Sequence, residues 1–168
     1  MSTLEITGPA SVEAAAGPSA EPPGGVMVVY ERGDAGRAAL LHAQLLAGAQ
    51  PPLTVVAVAS RERTDMGCGS CRQGAAFRNE LACEGATMAL SEARTVLSSA
   101  SPTAVARYEL ARGSFRRAVV QAARDHRADV IVLPARGNGR VRRLFSRDRV
   151  KLLEGRTTAS VVIAPDAE

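Results

Sequence analysis

The sequence predicts an α/β fold in which a single open parallel sheet of five strands carries helices on both faces. Five short apolar runs recur along the chain, and longer segments with helical spacing of apolar residues separate them. Strands that alternate with helices build a parallel sheet through right-handed crossovers. At 168 residues, with 46% hydrophobic and 23% charged residues, the chain is long enough for one domain with a substantial core.

The first 24 residues are rich in Ala, Pro, Gly, Ser and Glu and contain no basic residue. Such a segment buries too little apolar surface to offset the entropy cost of ordering, so residues 1–24 are predicted to be a disordered tail. The folded domain is predicted to span residues 25–168. Its first strand is the apolar run Val26–Tyr30.

The first helix is predicted to start with Asp34 as its cap and to end at Gly48. Its inner face is predicted from four apolar positions, which are Ala38, Leu41, Leu45 and Leu46. The β-branched run 53–59 predicts strand two. The polar, Gly-rich residues 60–75 predict a loop, and the helical spacing of residues 77–99 predicts a long second helix.

The second half of the chain repeats the strand and helix alternation. Residues 103–110 predict a third strand, near an edge because it is more polar, and Gly113-Ser114 opens a helix with Phe115 on its inner face. The strongest strand signal is the continuous apolar run Val130–Leu133, which is typical of a fully buried parallel strand. A helix over 148–154 and a fifth strand over 160–164 complete the pattern.

Composition narrows the functional classes. The net charge is +4, and 20 of the 21 basic residues are arginine, which indicates a GC-rich genome rather than a particular partner. No apolar run reaches the roughly 18 to 20 residues needed to span a bilayer. The N-terminus has neither the basic nor the apolar region of a secretory signal. We therefore expect a cytoplasmic protein that does not interact with a membrane.

The ordered set of elements resembles the universal stress protein family and its adenine nucleotide alpha hydrolase-like fold. The match covers residues 26–59 and 77–165 and is strongest over 113–165. There, a helix opened by Gly-Ser is followed by Ala-Asp-Val-Ile-Val, a glycine turn, another helix and a Val-Val-Ile strand. The resemblance implies the strand order 3-2-1-4-5. It also implies a crevice where strands one and four diverge, at their carboxyl ends.

The resemblance further implies a nucleotide site beside a glycine pattern that follows strand four. The pattern reads Gly, two residues, Gly, nine residues, Gly and then Ser or Thr. This chain has Pro134 at the first glycine, Gly137 at the second, and Arg147-Asp148 in place of the final Gly-Ser. Pro134 removes a backbone donor, and Asp148 puts a carboxylate near the phosphates, so weak or absent ATP binding is predicted. The residues implied to contact a nucleotide are Glu31, Val58, Leu133, Gly137 and Arg147.

A dense run of basic residues follows the glycine turn. Six arginines and Lys151 lie within residues 136–151, opposed only by Asp148. The run fits a solvated basic surface or an altered site in which arginines replace glycine backbone as phosphate donors. Nucleic-acid binding is disfavoured, because no base-stacking aromatic residues are interleaved with the arginines.

Cys68 and Cys71 form a Cys-x-x-Cys pair in the segment predicted to be the loop after strand two. Its spacing suits a metal such as zinc or a reversible disulfide, and it also fits a pair with no specific role. A closed zinc site needs four ligands, for which Cys83 and either His42 or His126 are the remaining candidates. No combination of nucleophile and base is present that would indicate an enzyme.

These observations favour a non-catalytic, universal stress protein-like protein that acts in stress response through an unidentified protein partner. A redox or metal sensor based on Cys68 and Cys71 is one alternative. An ATP-binding member with an arginine-rich phosphate site is the other. Because family members commonly dimerise through strand five, the resemblance also implies a homodimer formed through Val161 to Ala164.

Overall fold

Short apolar runs, nearly continuously buried in the first two strands, form a five-stranded sheet. The computed structural model describes residues 25–48, 53–62, 69–135 and 148–165; the predicted tail, residues 1–24, lies outside them. The strands are β1 (Gly25–Val29), β2 (Leu53–Ala59), β3 (Ala106–Arg112), β4 (Ala128–Leu133) and β5 (Ser160–Ile163). All four pairings are parallel and the order is β3-β2-β1-β4-β5, which confirms the predicted topology.

Helices cover both faces of the sheet. They are α1 (Asp34–Ala47), α2 (Gly69–Ala100), α3 (Phe115–Asp125) and a helical segment over residues 148–153. Because side chains alternate along a strand, Val28 and Tyr30 pack with α1 and α2, whereas Met27 and Val29 pack with α3. The sheet is therefore buried on both sides, as a parallel sheet requires.

The inner face of α1 differs from the predicted one. Its buried residues are Gly36, Ala39, Leu40 and Ala43, whereas the predicted Leu45 is 80% exposed. The reason is close approach: a Cβ added to Gly36 would lie 1.6 Å from the carbonyl oxygen of Glu31. Small residues allow α1 to pack closely against the backbone at Glu31. A prediction based on hydrophobicity alone therefore chose the wrong face of the helix. The N-cap is Gly33, not Asp34, and it makes no side-chain capping bond.

α2 begins earlier than its apolar pattern predicted. It starts at Gly69, so the second half of the predicted loop 60–75 is helical. Residues 69–77 contain no proline, and Ala75 is buried, so packing extends the helix despite two glycines that disfavour it. β3 lies at the edge, as predicted, but runs over 106–112 instead of 103–110. Its carboxyl end is therefore level with that of β2, with Ala59 opposite Arg112.

Candidate functional site

A crevice opens at the carboxyl ends of β1 and β2, beside the point where the chain order of the sheet reverses. Its cavity has a volume of about 430 Å³. The lining includes the ends of the two strands, the middle of α2, the first residue of α3 and Arg149 of the helical segment 148–153. This is the region in which open α/β sheets bind ligands.

An ion pair spans this crevice. Arg149 Nη1 donates a hydrogen bond of 2.7 Å to Glu31 Oε1, and the two side chains are only 17% and 27% exposed. The Arg149 guanidinium also stacks over the Phe115 ring, with 4.2 Å between its central carbon and the ring centroid. Low exposure reduces screening by water, so this pair is stronger than a typical surface pair. Arg149 therefore links Glu31, two residues beyond the end of β1, to the first turn of α3.

A second polar cluster lies next to Glu31 and connects the chain after β1 with α1 and α2 through hydrogen bonds. Glu92 of α2 accepts hydrogen bonds of 3.1 Å from the Tyr30 hydroxyl, Arg32 Nε and Arg37 Nε. Burial alone would raise the pKa of the Glu92 carboxyl. The hydrogen bonds from Arg32, Tyr30 and Arg37 outweigh that effect, so its pKa is held below the usual value.

The same contacts act on Tyr30 in the opposite direction. Burial and the hydrogen bond to the Glu92 carboxylate raise the pKa of the Tyr30 phenol to about 12, because both disfavour a phenolate. Tyr30 is consequently a neutral donor at physiological pH. Together with Gly36, which brings α1 against the Glu31 carbonyl, this network fixes the backbone on either side of Glu31.

The predicted site residues have different places in the structure. Glu31 and Val58 both line the crevice. Leu133 is 1% exposed and packs in the core beneath α3; it is not part of the crevice lining. Gly137 and Arg147 lie outside the described residues. Pro134, at the first position of the glycine pattern, is buried directly after β4.

The cysteine pair is only partly described. Cys71 lies in the first turn of α2 rather than in a loop, whereas Cys68 lies outside the described residues. Cys83 is a half-buried free thiol further along α2. Within the described ranges, no group of three His, Cys, Asp or Glu side chains is placed to hold a metal ion. His126 caps the C-terminus of α3 and contacts Glu109 of β3.

Sequence reasoning did not assign Arg149, Phe115 or Glu92 to the crevice. Arg149 was part of the arginine run, and Phe115 was placed only on the inner face of its helix. Neither residue carries a local signal, since Arg149 reaches Glu31 and the Phe115 ring only through contacts between residues far apart in the sequence. The described residues also include no helix that is both long and apolar enough to cross a membrane.

Comparison with known proteins identifies the family. The model of the universal stress protein family matches residues 25–162. The chain belongs to the universal stress protein family. No curated protein sequence matches it significantly.

Several solved structures share the fold. UspA from Lactobacillus plantarum is 18% identical, with a TM-score of 0.69, covering 86% of this chain and 99% of its own. A universal stress protein in complex with cAMP is 16% identical, with a TM-score of 0.60 and coverages of 88% and 100%. A family member from Burkholderia pseudomallei is 21% identical, with a TM-score of 0.51 and coverages of 84% and 95%. The TM-scores and coverages show that this universal stress protein shares the fold of these structures, although the sequence identities are low.

Proposed function

We propose that this universal stress protein is a non-catalytic stress-response protein whose crevice binds adenine nucleotides weakly or not at all. The observation that carries the proposal is the ion pair between Arg149 and Glu31. A nucleotide entering the crevice has to displace this pair or bind around it. Losing a charged hydrogen bond of this kind costs about 1 to 3 kcal/mol, which corresponds to a roughly 5- to 150-fold weaker affinity.

One further feature supports weak nucleotide binding. Pro134 stands where the family pattern has its first glycine. A proline has no N–H to donate to a phosphate. Among the described residues of the crevice lining, no nucleophile is paired with a neighbouring base, so no catalytic role is assigned to them.

A second candidate is an ATP-binding protein in which arginines hold the phosphates. Arg149 favours it, because its guanidinium already lies at the crevice and could exchange the Glu31 carboxylate for a phosphate. The protein solved with cAMP has the same fold, so a nucleotide is a reasonable ligand to test. In this case, Arg149 would contribute binding energy to the complex instead of opposing it.

Calorimetric titration of the full chain with ATP separates the two candidates. We expect a Kd weaker than about 100 µM, and no further weakening in Arg149→Gln. The matched control is Arg117→Gln, which removes the same charge from an exposed position on α3. A micromolar Kd that weakens at least about tenfold in Arg149→Gln but not in Arg117→Gln would establish the second candidate. A micromolar Kd abolished by Gly137→Asp would contradict the first.

We also propose that the protein forms a homodimer through β5. β5 is an edge strand that pairs only with β4 among the described strands, and its Val161, Val162 and Ile163 are partly exposed. An unpaired edge with apolar side chains favours pairing with another strand. Light scattering at tens of micromolar protein should give the mass of a dimer. The mass of a monomer would contradict this proposal.

A further inference from the structure

A second cavity of about 430 Å³ lies at the carboxyl ends of β2 and β3, beneath the N-terminal half of α2. It is lined by the ends of the two strands and by one side of the helix, namely Ala59, Ser60, Arg61, Ala76, Asn79, Glu80, Cys83 and Arg112. Ser60 also lines the crevice at β1 and β2, so the two cavities are neighbours along one edge of the sheet. In the sheet, β1 lies between β2 and β4, so one strand separates this cavity from the carboxyl end of β4.

Two arginines of this cavity have no acidic partner within the part of the chain that the structure describes. Arg61 follows β2 and Arg112 ends β3, whereas Arg149 in the crevice is paired with a carboxylate. Glu80 is the acidic residue of the described lining, and it forms no ion pair with either arginine. Two unpaired guanidinium groups on one cavity give it a positive potential, which an anion would neutralise.

The backbone that carries these arginines is held firmly. Gly113 N donates a hydrogen bond of 3.1 Å to the carbonyl of Ala59, which joins the ends of the two strands. The Asn79 side chain binds both backbone groups of Glu62, accepting from its N–H at 2.7 Å and donating to its carbonyl at 3.0 Å. Arg61 lies between these two fixed points, so its backbone needs little further ordering when a ligand binds.

We propose that this cavity binds a small polyvalent oxyanion, a molecule with phosphate or carboxylate groups, held by Arg61 and Arg112. Guanidinium groups bind both kinds of oxyanion through paired hydrogen bonds, and the Ser60 hydroxyl can donate a further one. The volume of about 430 Å³ lies in the lower part of the range of small-molecule sites, which fits a small ligand. The two arginines that hold the proposed ligand do not line the crevice, although the two cavities share Ser60.

Cys83 provides a reporter for this site, because its thiol lines the cavity. We would measure the rate at which neutral iodoacetamide alkylates Cys83 in the full chain, with and without inorganic pyrophosphate. Tryptic cleavage after Arg78 and Arg94 isolates Cys83 in a peptide without the other two cysteines, so mass spectrometry follows it in the unmodified sequence. Sodium chloride at matched ionic strength controls for general salt effects.

We expect pyrophosphate at 10 mM to slow alkylation at least about fivefold, with a concentration dependence that saturates. Arg61→Gln and Arg112→Gln should each remove most of this protection, and Arg117→Gln should leave it intact. Glu80→Gln should increase it, since a nearby negative charge opposes anion binding. Thermal melting of each variant verifies that it is folded.

Citrate in a parallel titration distinguishes the two kinds of group. Protection by either anion supports the proposal, and the better of the two identifies whether phosphate or carboxylate is preferred. The proposal is overturned if neither anion slows alkylation more than sodium chloride does. It is equally overturned if both arginine variants keep the full protection.

Discussion

The substitution Gly36→Ala tests how α1 is seated against Glu31. A methyl group at this position would lie 1.6 Å from the Glu31 carbonyl oxygen, whereas real contacts of this type are essentially never shorter than 3.0 Å. The first turn of α1 would therefore have to withdraw by about 1.4 Å (3.0 minus 1.6). The atom that must give is backbone, so the cost is at the upper end for overpacking, about 3 kcal/mol.

The helix propensity of alanine offsets about 1 kcal/mol of this cost, which leaves a net loss of about 2 kcal/mol in the free energy of unfolding. For a chain of this size, the loss corresponds to a Tm lower by roughly 4 to 8 °C. Urea denaturation followed by circular dichroism would measure it. The matched control is Gly85→Ala on α2, where an added Cβ meets nothing within 4 Å.

Gly85→Ala should stabilise the protein by up to about 1 kcal/mol, because it removes a glycine from an exposed helix interior without a clash. If Gly36→Ala is as stable as Gly85→Ala, the inference that α1 packs tightly against the Glu31 carbonyl is wrong. A stable Gly36→Ala variant would also remove the explanation for the small-residue face of α1.

Two other predictions concern Tyr30 and the sheet edge. In a Tyr108→Phe background, absorbance at 295 nm should show Tyr30 ionising with a pKa of about 12. Glu92→Gln should lower that pKa, because it removes the carboxylate that disfavours the phenolate. The pKa of Tyr30 in the folded protein is raised above the unfolded value of 10. The contribution of Tyr30 to stability is therefore present below pH 10 and is lost as the pH rises through 12. Unchanged stability between pH 9 and pH 12 would refute this. Val162→Lys on β5 should convert the proposed dimer to a monomer, as measured by light scattering. Leu45→Lys, at an 80% exposed position of α1, should leave the mass unchanged. A dimer that persists in Val162→Lys would place the interface elsewhere.

The strands were the most predictable part of the fold. The bounds of β2 agree with the prediction to the residue, and β4 contains the whole predicted run Val130–Leu133. Buried parallel strands read as continuous apolar runs, so their signal is local. The inner face of α1 was not predictable in this way, because Gly36 and Ala39 are buried for their small size rather than their hydrophobicity.

The candidate site was predictable only at and just beyond the strand ends. Glu31 and Val58 line the crevice because Glu31 closely follows β1 and Val58 lies near the end of β2. Arg149 could not be placed, since its contact with Glu31 joins residues 118 positions apart. The second cavity could not be predicted either. It forms where α2 lies beside the paired ends of β2 and β3, and Ala59 and Arg112, which end these strands opposite each other, are far apart in the sequence.

The two cavities at the carboxyl edge of the sheet differ in whether their arginines are paired with carboxylates. In the crevice, the Arg149 guanidinium is already neutralised by Glu31, and Arg32 by Glu92. At the ends of β2 and β3, Arg61 and Arg112 have no such partner among the described residues. An anion entering the crevice has to compete with a carboxylate that is already paired with Arg149. In the second cavity, the acidic residue of the described lining is Glu80, which is paired with neither arginine. Coulombic attraction therefore favours the second cavity, even though the fold favours the first.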